Sequence, residues 1–514
     1  MNFRIYKYTI TLAALGIMSC TKKFDTINTN PDKSTSSRAD WLATSIIANS
    51  TDGDISDQKA FMQPFMLSKY ILWTELQEGY QYNSLGQTGS WGRYNVLRNI
   101  DPMLEYAASD PDTYPSYRGL AHFIRAWQFY QLTMQVGDIP YSEALKGKSE
   151  GNIKPKYDSQ KDVFKGILSE LDSANVLFST GKDFSGDIVY KGSVDKWRRV
   201  TNTFELYVLI NLYRKTTDAD LNVVERFKDI VANRPLMRDY TDNFAITYIN
   251  SASYCYPWSS TPVQKNQFTI YPMVSTTLID LLKTYNDRRL FYYAEPAASA
   301  INGGLTANNF NAYIGVEPSD AYSSTTSAHS AGIFSDVNKR YVDLYNAEPV
   351  SLLSYWDQQF ILAEAAVRGW ITGTPAQDYY ASGIQSSMNF LADHTPETYT
   401  HGMAMDDSYI NSYPAIVALA GAEDNQVKQI ITQKYIAGYL HGTDYNAWYE
   451  FRRTGYPEFK LNPNTNLNTP STEFPVRWKY PQVELNNNGD NYKTAIQSQY
   501  GGNDDVTQVM WLLK

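Results

Sequence analysis

The chain is 514 residues long, carries a formal net charge of −9, and holds only two cysteines and five histidines. Its acidic balance argues against nucleic acid as a partner, and two cysteines exclude a disulfide-stapled scaffold. A chain of this length can instead bury a large apolar core.

The opening, MNFRIYKYTITLAALGIMSC, joins a basic start (Arg4, Lys7) to a short apolar core from Ile10 to Met18, the layout of a secretory signal. That core is too short for a membrane span, which needs roughly 20 apolar residues. Gly16 and Ser19 are small, and Leu15-Gly16-Ile17-Met18-Ser19-Cys20 resembles a bacterial lipobox. Residues 1–19 are therefore expected to be a lipoprotein signal peptide, with Cys20 lipidated and inserted in the membrane through its acyl chains. An ordinary cleaved signal with an incidental cysteine is the alternative. Residues 20–40 are expected to form a flexible leash, since the Thr-, Asn- and Lys-rich string around Pro31 has too little apolar content to fold. Without Arg4 and Lys7 the charge of −9 becomes −11, and a lipidated Cys20 leaves Cys255 no disulfide partner.

After residue 40 no Gly/Ser, Pro or charge tract interrupts the chain, so residues 41–514 are expected to form a single domain. Asp52-Gly53-Asp54-Ile55-Ser56-Asp57 alternates oxygen ligands, but the twelfth position is Gln63 instead of a bidentate glutamate, so a solvated turn is favoured over a calcium hand. Between Tyr117 and Met134 the residues Leu120, Phe123, Ile124, Trp127 and Tyr130 fall three or four apart, which predicts a helix with one buried face. Gly147-Lys148-Ser149 lacks the upstream glycine of a phosphate loop, Ser142 standing there. Lys161 to Phe178 repeats the helical spacing, and Trp197 to Lys215 is apolar almost all round, which predicts a central helix. Residues 240–345, rich in Ser, Thr, Asn and Tyr, are expected to form a loop-dominated lobe with a few short strands. Leu352 to Trp370 and Val427 to Leu440 are two further predicted helices. On the first of these Glu364 shares the apolar side with Trp356 and Phe360; a buried acid there is either a tuned catalytic group or a structural partner for an arginine such as Arg198 or Arg368, and the structural role is favoured. Arg452 and Arg453 suit buried hydrogen-bonding forks, His441 a structural histidine, and Asn486 to Asn491 a turn.

Forty-one tyrosines exceed what packing requires, and several cluster in glycine-rich loops. Aromatic faces suit the C–H faces of a pyranose, while neighbouring amides and charges bond its hydroxyls. The first such tract supplies Tyr80, Tyr82, Asn83, Trp91 and Arg93; the second supplies Tyr256 and Trp258; the third supplies Tyr313. Loop packing is the competing explanation for each. Tyr94 is expected to start a helix and belong to the core. The chain has neither an HExxH pair nor a G-x-S-x-G elbow, and no catalytic residue, metal site or cofactor is assigned.

Six segments run in order from Cys20 to the C-terminus: FDTINTNPDKST; Arg125-Ala126-Trp127 with GDIPYSEAL; DIVYKGSVDKW leading into Arg198 to Asn202; FILAEAAVRGW; QKYIAGYLHGTDYNAWYEFRRTGYPEF; and PVRWKYPQVELNNN. Together they resemble the SusD/RagB family of outer-membrane nutrient-binding lipoproteins. The resemblance implies an all-α-dominated fold of tetratricopeptide-like helix pairs, with an irregular loop-rich lobe and few short strands. It also implies a lipid-anchored protein at the outer membrane, facing the exterior, that binds oligosaccharides or polysaccharide. Its partner would be a SusC-like TonB-dependent transporter, to which the glycan is delivered. A RagB-like peptide binder is the alternative, and a glycan hydrolase with two carboxylates across a cleft is a third. Two features depart from the family pattern. Tyr207 and Asn211 stand where basic residues are common, and Thr21-Lys22-Lys23 follows Cys20 in place of an acidic cluster.

Overall fold

The structure is a computed structural model that describes residues 38–51, 58–88, 91–259, 268, 270–442 and 445–514. The expected signal peptide, Cys20, nearly all of the expected leash and the Asp52–Asp57 string lie outside the described residues. Helices dominate. Those of eight residues or more are α1 (Ala39–Thr51), α2 (Gln58–Leu67), α3 (Ile100–Ala107), α4 (Tyr114–Val136), α5 (Gln160–Thr180), α6 (Val194–Asn211), α7 (Val223–Asn233), α8 (Thr276–Thr284), α9 (Tyr322–Ser330), α10 (Tyr355–Val367), α11 (Ala376–His394), α12 (Asp407–Ile416), α13 (Glu423–Ala437), α14 (Asn446–Thr454) and α15 (Gly489–Tyr500).

The helices pack as pairs. Helix α4 lies along α5, which in turn meets α6, and α10 lies along α11 and α13. Each main pair has a glycine where a partner phenylalanine presses close. A Cβ on Gly119 of α4 would sit 2.9 Å from the Phe178 ring of α5, and one on Gly383 of α11 would sit 2.9 Å from Phe360 of α10. Large rings can therefore interdigitate without spreading the helices. Helix α6 is the predicted central helix: it is buried nearly throughout, and Trp197 meets Phe123 at 5.2 Å and Phe244 at 5.8 Å. The cost of burying its indole N–H is offset by a 2.9 Å bond to Asp187. Ser193 caps its start by accepting from the Lys196 N–H, as Ser159 does for α5 and Ser354 for α10.

Two antiparallel two-stranded ribbons complete the fold. Strand β1 (Ile71–Trp73) pairs with β3 (Pro272–Val274), matching Ile71 with Val274 and Trp73 with Pro272. Strand β2 (Phe244–Ile246) pairs with β4 (Val350–Leu353), with a bulge between Phe244 and Ala245. Both ribbons join the 240–345 lobe to the helical scaffold. The lobe holds more helix than its composition predicts, because α8 and α9 fall inside it. Among the described residues no helix is long and apolar enough to cross a membrane.

The buried charges are structural. The Glu364 carboxylate receives two 2.7 Å bonds from Arg453 and one of 2.8 Å from Arg368. Arg198, the other expected partner, bonds Asn175 instead. Burial pushes the Glu364 carboxyl up, but Arg453 and then Arg368 outweigh it and hold the acid below its ordinary range. Arg453 also grips Glu450, which Lys434 holds from its other side at 2.8 Å. Arg452 donates to the carbonyls of Val476 and Met134, tying the C-terminal loops to α4. His441 is buried, and burial lowers its pKa, consistent with a structural role.

Candidate ligand-binding face

Four segments converge beyond the β1/β3 ribbon, at residues 74–83, at 268 with 270–272, at 317–334 (which includes α9) and at 460–468. Hydrogen bonds stitch them together. The Thr74 hydroxyl donates to the Tyr271 carbonyl at 3.1 Å, and the Tyr322 phenol donates to the Thr74 carbonyl at 2.8 Å. Gln81 accepts from the Trp73 N–H at 3.1 Å and donates to the Pro318 carbonyl at 3.4 Å. Asn462 and Thr465 both bond the Ser319 carbonyl. Loops held so firmly can present side chains at fixed positions, which a binding site needs.

An aromatic ladder climbs through this region from core to surface. Trp258 stacks on Phe268 at 5.5 Å, Phe268 meets Trp73 at 5.3 Å, and Trp73 meets Tyr271 at 5.5 Å. Tyr271 stacks on the His329 ring at 6.5 Å, and His329 on Phe334 at 4.7 Å. The lower rungs, Trp258, Phe268 and Trp73, are shut off from solvent, while Tyr271, His329 and Phe334 are partly open. His329 is fixed by a 2.6 Å bond from Nε2 to the Ile270 carbonyl, which places its proton on that nitrogen. Beside these rings Ile270 is 49% exposed and Leu76 is 43% exposed. These solvent-facing apolar groups and the open rings make this face a candidate binding surface. Glu75, Glu317 and Asp320 give the rim a negative bias, which exposed Lys460 partly balances from 3.9 Å and 3.8 Å of the last two.

The aromatics singled out from the sequence divide sharply here. Trp258 and Tyr256 are fully buried. Trp258 forms the foot of the ladder, and Tyr256 packs edge-on against Phe61 at 5.9 Å. Tyr313 is buried too, with its phenol bonded to the Ala307 carbonyl at 2.8 Å and its ring edge-on to Phe291. Tyr82 is 2% exposed, and its hydroxyl, pushed up to about 12 by burial, donates to the Asp320 carbonyl. The Asn83 amide is likewise internal, accepting from Lys69 at 2.7 Å. A ring or amide without an open face offers no stacking surface, so these five residues lie inside the protein and not on an exposed face.

Tyr80, Trp91 and Arg93 remain half-buried. Tyr80 stacks on Tyr445 at 5.9 Å on the outside of the turn, close to the convergent loops. Trp91 lies edge-on to Tyr94 and Tyr480, and its buried indole N–H finds no acceptor among the described residues. The Arg93 guanidinium reaches back to Gln128 of α4 at 3.2 Å. Tyr94 opens a short helix (Gly92–Leu97) and bonds the Pro140 carbonyl at 2.6 Å, the core role expected of it. Tyr271, Tyr322, His329 and Phe334 were not foreseen. The extended Tyr271-Pro272 step offered a weak signal, because the residue before a proline avoids the helix.

A narrow cavity inside the scaffold, lined by Tyr70, Tyr207, Trp356, Lys434, Tyr435 and Glu450, is a weaker candidate. Its Lys434 and Glu450 already pair with each other at 2.8 Å. Among the described residues no cluster of His, Cys, Asp or Glu is arranged to hold a metal ion.

The SusD-like_2 family model, described as "Starch-binding associating with outer membrane", matches residues 31–481. A SusD homologue of solved structure from Bacteroides fragilis is 41% identical, covers 93% of this chain and 100% of its own, and superposes with a TM-score of 0.88. A second SusD homologue from that organism is 34% identical over 93% of this chain and 100% of its own, with a TM-score of 0.81. A chitin-binding SusD homologue from Flavobacterium johnsoniae shares the fold at 20% identity, covering 93% of this chain and 98% of its own, with a TM-score of 0.70. No curated protein matches the chain. The match across most of the sequence, together with the helix-pair scaffold and its loop-rich lobe, places this chain in the SusD-like family of outer-membrane-associated nutrient-binding proteins.

Proposed function

We propose that the protein is a lipid-anchored receptor at the outer membrane that binds oligosaccharides on its convergent-loop face. From there it passes them to a SusC-like TonB-dependent transporter. The observation that carries the reading is the half-open stack of Tyr271, His329 and Phe334 on a rigidly bonded loop frame, flanked by exposed Ile270 and Leu76. Rings with one free face and few torsions to freeze lose little entropy on binding a sugar. Stacking also tolerates different hydroxyl patterns, which suits capture before transport. The negative rim favours neutral or amino-bearing sugars over polyanionic ones.

The anchor and the partner belong to the same proposal. Cys20→Ala should abolish fatty-acid labelling and release the protein from membranes; unchanged labelling would refute the anchor. Mild-detergent pull-down from native membranes should recover a large TonB-dependent barrel in near-stoichiometric amount, and its repeated absence would count against delivery. The binding step is tested by a glycan and peptide array on the soluble chain lacking residues 1–20. Signals confined to peptides would overturn the glycan reading, and new reducing ends on incubation with polysaccharide would overturn the non-enzymatic one.

A further inference from the structure

Lys69 follows the C-terminus of α2 and adopts φ +60°, a left-handed conformation that non-glycine residues avoid. That geometry turns its side chain inward, leaving the residue 2% exposed. The Nζ atom lies 2.6 Å from the Gln81 carbonyl and 2.7 Å from the Asn83 side-chain oxygen. Both acceptors are uncharged, and no described carboxylate forms an ion pair with Lys69. Asn83, itself left-handed at φ +62°, closes the Tyr80–Tyr82 turn and reaches Asn466 at 3.4 Å. The same turn carries Tyr80 outward onto Tyr445.

We propose that Lys69 is the positioning residue of the Tyr80–Asn83 turn and that seating the turn is linked to loss of the lysine's proton. An ammonium taken out of water without a counter-charge is costly. A neutral amine keeps two N–H groups, one for each acceptor. Burial accordingly lowers Lys69 from its ordinary 10.5 to about 7, with Glu317 opposing the shift. The charged and titratable groups on the surrounding segments are few. Glu317, drawn toward Lys460, and Asp320 lie on the 317–320 loop, Glu78 precedes the turn, and the phenols of Tyr80 and Tyr82 lie on the turn itself. Tyr70 is occupied as a donor to the Tyr435 carbonyl, and the 462–468 segment offers only neutral residues.

The sign follows from linkage. With the turn seated, Lys69 holds its proton only below about 7; with the turn open, it holds it up to about 10.5. Opening therefore takes up a proton between those values, and the opening constant falls up to tenfold per unit as pH rises through that window. Below about pH 7 both states are protonated, so opening is easiest there and independent of pH. Saccharide affinity should rise over the same window as the turn becomes more fully seated, because Tyr80 rides on the turn; this last step alone rests on the proposed function.

The test is amide hydrogen exchange of residues 79–85 in the full-length protein in detergent, between pH 6 and 10, corrected for the intrinsic base-catalysed rate. The wild type should show an opening constant that falls above about pH 7, by up to tenfold per unit, while K69M should show a flat profile. A flat wild-type profile, or the same slope in K69M, overturns the proposal. Should K69M misfold, a 13Cε-lysine NMR titration of the wild type replaces it: a Lys69 midpoint well below the ordinary value supports the proposal and an ordinary midpoint overturns it. Maltoheptaose and chitohexaose serve as saccharide probes over the same range. Binding that strengthens as exchange slows supports the functional step. Binding that is independent of pH beside a sloped exchange profile overturns that step while leaving the positioning role standing.

Discussion

The two ends of the Trp258-to-Phe334 ladder use the same residue chemistry for opposite purposes. At the lower end Trp258, Phe268 and Trp73 are enclosed on all sides and stabilise the junction between lobe and scaffold. At the upper end Tyr271, His329 and Phe334 keep part of each ring open, so they gain less from packing and retain a face for a ligand. Aromatic content in a loop therefore does not by itself mark a binding site; the proposed site lies where a well-bonded frame leaves one ring face uncovered. Substitutions should separate the two ends, because losses at the bottom fall on stability and losses at the top fall on binding.

The largest expected effect lies at the bottom. Trp258→Ala should cost about 3–5 kcal/mol of stability, read as an early thermal transition. A melting temperature equal to wild type would show that Trp258 is not enclosed. Arg453→Met should cost a similar 3–5 kcal/mol, since it strands the buried carboxylates of Glu364 and Glu450. Denaturant titration checks this, and a loss near zero would mean that the pair of acids finds another partner. At the upper end Tyr271→Ala should weaken oligosaccharide binding by roughly 1–3 kcal/mol, by analogy with base stacking on aromatic rings. Its melting temperature should stay close to wild type. Gly383→Ala, on the α10–α11 seam away from the ladder, should cost about 1–3 kcal/mol through overpacking against Phe360 and leave binding unchanged.

Acid should act on the scaffold through Glu450. Burial raises its pKa, but Arg453 and Lys434 outweigh that and bring it to about 2 from an ordinary 4.5. Its stabilising contribution is thus complete above about pH 4.5 and is lost as pH falls toward about 2. Glu450→Gln should be less stable than wild type at neutral pH, and the gap should narrow across that window. A constant gap would contradict the ion-pair assignment.

The helical scaffold was legible in the sequence where apolar spacing was strong. The pattern from Lys161 to Phe178 became Gln160–Thr180, and the all-round apolar Trp197 stretch became the central Val194–Asn211 helix. Helix α11 escaped notice because its buried side includes Gly383, Ser386 and Ser387, which carry no hydrophobic signal. Helix α9 was hidden in the same way by a run of serines and threonines. For the face, the sequence pointed to the aromatic tracts but not to the direction of each ring. Tyr80 and Tyr82 sit two residues apart in one tight turn, yet the first looks outward and the second is locked onto the Asp320 carbonyl. That difference is set by Lys69 and by loops from residues 317–320 and 462–468, which no local pattern connects.

Glycan-array binding of a Tyr80→Ala/Tyr271→Ala double variant, run beside wild type with melting temperature measured on the same samples, addresses the uncovered-ring face most directly. The expected result is loss of the wild-type glycan signals at nearly unchanged melting temperature. Wild-type glycan signals retained by a folded double variant would place the binding site elsewhere on the molecule.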